Sequence, residues 1–79
     1  MPKFPVDAPR RKVIKAFESL GFVVQRSHEH VQMRRAASDG SSMPLTLPNH
    51  DRIKGSTLRM ICTQTGVSRD EFLTAFQQA

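Results

Sequence analysis

The segment from Arg26 to Arg34 constrains the fold of this chain most, because polar and apolar side chains alternate along its second half. Successive side chains of an extended strand point to opposite faces, so Val31 and Met33 share one face and His30 lies on the other. An apolar face must be covered by a core. The alternation therefore predicts a strand that hides Val31 and Met33 and exposes an imidazole on an open surface.

The surrounding segments predict a small α+β fold. The first helix and three strands are expected over residues 8–20, 22–26, 30–35 and 43–47. Two short helices follow, one that begins near Gly55 and one that begins after Ser68. The predicted architecture is α-β-β-β-α, a three-stranded antiparallel sheet covered on one face by helices, with a short C-terminal helix. A chain of 79 residues has room for one core, so we interpret it as a single domain over residues 1–79.

Several side chains are assigned local structural roles. Asp7 is predicted to cap the first helix and Ser56 or Thr57 the second, because their oxygens can accept from the unpaired amides of a first turn. Ser68 and Glu71 have the spacing of a capping box at the start of the third helix. The apolar side chains expected to face the core together are those of Met43, Leu45 and Leu47 on one strand and of Phe22 and Val24 on another.

The charge of the chain favours an anionic partner. Twelve Lys and Arg against seven Asp and Glu give a formal net charge of +5, which suits nucleic acid or an acidic protein surface. The one cysteine, Cys62, excludes an internal disulfide and lies on an apolar helical stripe, so we interpret it as a core residue. No apolar run is long enough to span a membrane, so we expect a cytoplasmic protein that does not contact one.

His30 is the candidate for proton transfer, because an imidazole both accepts and donates protons near neutral pH. Gln32 and Arg34 share its face of the predicted strand, and a donor beside a cation can hold a phosphodiester. His28, two residues earlier, is the alternative, although we interpret it first as a turn residue. His50 follows the third strand and either has a structural role or helps to line the site.

A second candidate anion site lies at the start of the second predicted helix. Backbone amides at Gly55, Ser56 and Thr57 adjoin Lys54, and unpaired amides at a helix start attract phosphate. Plain capping explains the same residues equally well, so both interpretations stay open. The histidines and acids show no recognised metal-ligand spacing, and the chain has no GxGxxG or P-loop pattern. We therefore expect no metal and no cofactor.

Six short segments carry a family resemblance through their order and spacing. They are Gly21–Phe22, Arg26, Glu29–Met33, Leu47–His50, Ile53–Arg59 and Gly66–Phe72. Together they resemble a HicA-type toxin of bacterial and archaeal toxin–antitoxin pairs, over nearly the whole chain. The resemblance implies a fold like that of double-stranded-RNA-binding domains, in agreement with the predicted element order. Many members have Gly, or a Gly-Ser pair, just before the family's histidine, where this chain has Ser27, His28 and Glu29.

The resemblance also implies a function. Members of the family are expected to be metal-independent endoribonucleases that cleave mRNA with a histidine on the second strand, which is His30 here. The expected partner is a HicB-type antitoxin that covers the active site and binds operator DNA through its own domain, so direct DNA binding is not expected of this chain. Two other functions fit the same residues, a non-catalytic RNA-binding module of the same fold and a protein-interaction domain for an acidic partner.

Overall fold

The computed structural model describes residues 4–79. Its elements, in order, are β1 (Asp7–Pro9), α1 (Arg10–Ser19), β2 (Val23–Ser27), β3 (His30–Ala36), β4 (Ser42–Pro48), β5 (Arg52–Lys54), α2 (Gly55–Thr65) and α3 (Arg69–Gln78). Strands β2, β3 and β4 form an antiparallel meander with β3 in the centre. The predicted α+β class and the α-β-β-β-α order are therefore confirmed. None of the helices described over these residues has the length and apolarity that crossing a membrane requires.

The core lies between one face of the meander and the helices. Val31 and Met33 of β3 are each 1% exposed, and Leu45 and Leu47 of β4 are buried beside them. Helix α1 packs on α3, and α2 packs on β4. Phe17 joins these layers, because its ring centroid lies 5.6 Å from that of Phe22 and 5.2 Å from that of Phe72. The helices thus cover one sheet face and leave the other open.

The register confirms the predicted direction of Val24 and Met43, but neither side chain is fully buried. Val24 is opposite Met33 and Met43 is opposite Arg35, so both lie on the core face, where they are 36% and 37% exposed. The register of β2 against β3 shifts between Val24 and Arg26, which interrupts the regular alternation of an edge strand. Met43 is paired with Arg35 near the β3–β4 turn. The guanidinium of Arg35 lies 4.8 Å from the ring centroid of Phe22, so a cation and not an apolar side chain shares this end of the core face.

A two-stranded ribbon that the sequence did not predict precedes both α1 and α2. Strand β1 is antiparallel to β5, with Asp7 opposite Lys54 and Ala8 opposite Ile53. Asp7 forms an ion pair with Arg52 at 2.6 Å, and α1 begins after Pro9 without a side-chain cap. The predicted capping role of Asp7 is therefore wrong, because the ribbon engages its carboxylate. The hydrogen bond from Arg52 holds the pKa of Asp7 below its usual range.

The starts of α2 and α3 differ in how they are capped. Helix α2 begins one residue before Ser56, directly after Lys54, and has no side-chain cap, so the predicted caps are wrong there. At α3 the predicted capping box is confirmed. The amide of Glu71 donates to the hydroxyl of Ser68 at 3.1 Å, and the amide of Ser68 donates to the carboxylate of Glu71 at 3.3 Å.

Candidate functional site

The open face of the sheet carries the polar residues predicted from the alternation. His30, Gln32 and Arg34 of β3 are exposed, whereas Val31 and Met33 between them are buried. The helices occupy the opposite side, so no helix covers the imidazole of His30 within the part of the chain that the structure describes. The predicted division of β3 into a core face and an open face is confirmed.

The register of the sheet adds a second guanidinium to this face. Residues directly opposite each other on antiparallel strands place their side chains on the same face. Gln32 is opposite Arg26 on β2 and opposite Thr46 on β4. Arg34 is opposite Pro44, and its guanidinium donates to the hydroxyl of Ser42 at 2.7 Å. The cation nearest the start of β3 in this arrangement is therefore Arg26, which was not among the site residues predicted from the sequence.

A shallow depression of about 310 Å³ lies at this end of the sheet. It is lined by Arg26, His28, Glu29, His30 and Gln32. Two imidazoles, a carboxylate, an amide and a guanidinium thus border one opening. His28 is predicted from the sequence first as a turn residue, and the structure places it both in the β2–β3 turn and beside His30. Arg34 and His50 lie outside this lining, and His50 is exposed in the segment between β4 and β5.

The β2–β3 turn, residues 28 and 29, is tied to Asn49, which follows β4. The side-chain amide of Asn49 donates to the carbonyl of His28, and its side-chain oxygen accepts from the guanidinium of Arg10 at 2.6 Å. The backbone amide of Asn49 also donates to the carbonyl of Glu29 at 3.4 Å. The contacts of Arg10 and Asn49 with this turn could not be predicted from the sequence, because both residues are far from the turn in sequence and only packing brings them there.

Further positive charge lies on the other side of the turn. A groove of about 400 Å³ between α1 and the turn includes three cations of α1 together with Ser27 and Asn49. The cations are Arg10, Arg11 and Lys15. The turn, with His28 in it and His30 directly after it, therefore has arginine on its sheet side and a basic helix on its other side.

The second predicted anion site is separate from the His30 depression. Lys54, Gly55 and Ser56 line a different hollow of about 480 Å³ together with residues 5–7 and 59. The amide of Gly55 donates to the carbonyl of Val6 at 2.6 Å, so it is engaged in backbone pairing. The amides of Ser56 and Thr57 belong to the first turn of α2, where the helix itself supplies no acceptor. The structure thus gives the amide of Gly55 a structural role.

Two other kinds of reactive group contribute little to the open face. Among residues 4–79, no three His, Cys, Asp or Glu side chains are grouped so that they could hold a metal ion. Cys62 is buried on α2, and burial raises the pKa of its thiol. A thiol in that state is a poor nucleophile, as expected for a core residue. The imidazoles of His28 and His30 and the carboxylate of Glu29 are the groups of the depression that can exchange protons.

One protein-family model matches this chain over most of residues 4–79. The family model described as the HicA toxin of bacterial toxin-antitoxin systems matches residues 10–67, which is more than half of the chain. The match begins at the start of α1, ends just after α2, and includes every candidate site residue. Comparisons with individual curated proteins and with solved structures gave no match.

Proposed function

The chain belongs to the HicA family of toxins from bacterial toxin–antitoxin systems, and from this premise we propose that it is a metal-independent endoribonuclease that cleaves mRNA with His30. The family implies an antitoxin partner. The observation that supports the enzymatic proposal best is the placement of His30, an exposed imidazole that shares a depression with Arg26 and Gln32 on the open sheet face. The proposed site of action is the cytoplasm.

The proposed reaction uses the nucleophile that RNA itself carries. A base removes the proton of a 2′-hydroxyl, the 2′-oxygen attacks the adjacent phosphorus, and the bond from phosphorus to the 5′-oxygen breaks. An acid then protonates the leaving 5′-oxygen, and the products are a 2′,3′-cyclic phosphate and a 5′-hydroxyl. His30 serves as the acid or the base, since an imidazole near neutral pH has access to both protonation states.

The neighbouring polar groups have supporting roles in this proposal. Negative charge develops on the phosphate oxygens during attack, and cations or N–H donors placed beside those oxygens stabilise it. Gln32 and Arg26 line the depression and are the nearest candidates. Arg34 extends the same face and contacts the RNA backbone beyond the reacting phosphate. Lys54, with the amides of Ser56 and Thr57, is a separate contact point for the backbone.

The proposed partner is a HicB-type antitoxin that covers the open sheet face. An acidic segment of the antitoxin would meet the guanidinium groups of that face and exclude RNA from His30. Operator DNA is bound through the antitoxin's own domain in this proposal, and the present chain contributes no direct DNA contact.

Cleavage of a labelled RNA by the purified protein in EDTA tests the proposal. We compare the wild type with His30→Ala and with Gln64→Ala, an exposed position on α2 that serves as the control. We expect the wild type and the control to cut and His30→Ala to lose at least a hundredfold in rate, the lower end of a general acid or base contribution. Circular dichroism should show the same fold for all three, because His30 is exposed.

The same experiment discriminates the alternatives. If the wild type binds RNA with a salt-dependent affinity but does not cut it, the chain is a binding module and the catalytic proposal is wrong. If it binds RNA only weakly and an acidic partner tightly, the chain is a protein-interaction domain. If His30→Ala cuts at the wild-type rate, the role of His30 is wrong, and His28→Ala becomes the next variant to measure.

A further inference from the structure

We propose that Asn49 is a positioning residue, held by Arg10, that fixes the β2–β3 turn and so sets the position of His28 and His30 in the depression. Its effect on cleavage rests on the proposed ribonuclease function. The effect of Asn49 on the turn does not depend on that function, because the hydrogen bonds between Asn49 and the turn belong to the folded chain alone.

The geometry of Asn49 joins three segments that are far apart in sequence. Its side-chain oxygen accepts from Arg10 at 2.6 Å, and its side-chain amide donates to the carbonyl of His28. Its backbone amide donates to the carbonyl of Glu29. One residue thus contacts both turn residues and the first residue of α1. An Asn is suited to this role, because its amide side chain carries a donor and an acceptor at one end.

The turn depends on such hydrogen bonds because apolar packing contributes little to its order. His28, Glu29 and His30 are all exposed. Within the turn, the amide of His28 donates to the carbonyl of His30 at 3.2 Å, which closes the loop on itself but does not anchor it to the core. Exposed turns with few buried contacts open at low free-energy cost. The contacts of Asn49 therefore link the turn to the rest of the fold.

Arg10 is itself well anchored. Its backbone amide donates to the carbonyl of Asp51 at 2.9 Å, and it begins α1, whose residues Val13 and Phe17 are fully buried. Its guanidinium is charged, and charge-assisted hydrogen bonds are shorter and stronger than neutral ones. The path from the core to the turn thus runs through α1, Arg10 and Asn49 to the carbonyl of His28.

Positioning of this kind affects reaction rate more than substrate affinity. Attack by a 2′-oxygen requires the imidazole within hydrogen-bond reach of the proton it moves. A displacement of about 1 Å can cost roughly a hundredfold in rate. Backbone contacts to RNA from other cations do not depend on the turn, so the loss should fall on kcat and leave KM nearly unchanged.

The informative variant is Asn49→Asp, with Asn49→Ala beside it. A carboxylate still accepts from Arg10, but it has no N–H to donate to the carbonyl of His28, so Asn49→Asp removes the side-chain hydrogen bond to the turn. The bond to Arg10 and the backbone bond to the carbonyl of Glu29 stay in place. The matched control is Asp39→Ala. Asp39 accepts from the amide of Ser41 at 2.9 Å and from its hydroxyl at 2.6 Å, and so stabilises the β3–β4 turn at the opposite end of β3.

Two measurements are made on each protein at a temperature where all are folded. Amide hydrogen exchange reports the order of the turn through the amide of His28. Asn49 is the chain's only asparagine, so selective 15N-asparagine labelling also follows its side-chain amide in the wild type. Cleavage of labelled RNA gives kcat and KM. We expect both Asn49 variants to exchange at His28 at least tenfold faster and to lose tenfold or more in kcat, while Asp39→Ala changes neither.

Each other outcome has a defined meaning. Unchanged exchange at His28 in Asn49→Asp overturns the proposal, whatever the activity. Faster exchange with an unchanged kcat overturns the link between turn order and catalysis. If the wild type does not cut RNA, the ribonuclease proposal fails, and the exchange rates alone confirm or refute the role of Asn49 in holding the turn. An equal loss of kcat in Asp39→Ala would show a general stability effect and would overturn positioning by Asn49.

Discussion

Replacement of Gly55 by alanine tests whether this residue serves the fold or an anion. A Cβ atom at Gly55 would lie 2.2 Å from the carbonyl oxygen of Pro5 and 2.9 Å from that of Val6. Both atoms belong to the backbone that enters β1, so a side-chain rotation cannot relieve the clash. The segment would have to move by on the order of 1 Å to restore ordinary contact. That shift would also break the hydrogen bond from the amide of Gly55 to Val6.

The expected loss of stability combines the overpacking at Gly55 with the loss of its backbone hydrogen bond. Overpacking costs about 1–3 kcal/mol and a lost backbone hydrogen bond about 1 kcal/mol. The higher helix propensity of alanine offsets about 1 kcal/mol of this sum. We therefore expect Gly55→Ala to lower the free energy of unfolding by about 1–3 kcal/mol.

Urea unfolding followed by circular dichroism measures this change. Gly66→Ala is the matched control, because Gly66 has open space for a Cβ but a φ of 74°. The stability cost of Gly66→Ala comes only from placing alanine in a left-handed backbone conformation, about 1 kcal/mol. A Gly55→Ala protein as stable as the wild type, with weaker RNA binding, would refute the structural role and favour the anion site at the start of α2.

Two further expectations concern charged residues. The lowered pKa of Asp7, caused by its hydrogen bond from Arg52, contributes stability that is fully present above the unfolded-state pKa and is lost as the pH falls through the folded-state pKa. Unfolding of the wild type and Asp7→Asn at a series of acidic pH values checks this, and a difference that persists at the lowest pH contradicts it. Arg26→Ala should reduce the slope of log affinity for single-stranded RNA against log salt by about 0.7, the value for one phosphate contact. Arg69→Ala on α3 removes the same charge on the helical side, and an equal change there would contradict a local contact by Arg26.

Short-range patterns in the sequence predicted the parts of this protein that depend on neighbouring residues. The alternation around Val31 and Met33 predicted which face of β3 is open, and the spacing of Ser68 and Glu71 predicted the capping box. These patterns are reliable because strand periodicity and cap hydrogen bonds involve residues only two or three positions apart. The order of the sheet followed from such signals, and so did the exposure of His30. The segments that resemble the HicA family led to the family that the comparison then identified.

Packing decided the features that connect distant residues. The β1–β5 ribbon engages Asp7, and no local pattern marks a pair of three-residue strands 45 positions apart. The backbone just before β1 leaves no room for a side chain at Gly55. The register of β2 placed Arg26 beside Gln32, and the approach of α1 to the end of β4 brought Arg10 to Asn49. Contacts at such separations depend on how the elements pack and not on the preference of any one segment. The sequence by itself therefore determined that an imidazole stands on an open strand, and the tertiary structure determined which side chains surround it and which hold its turn.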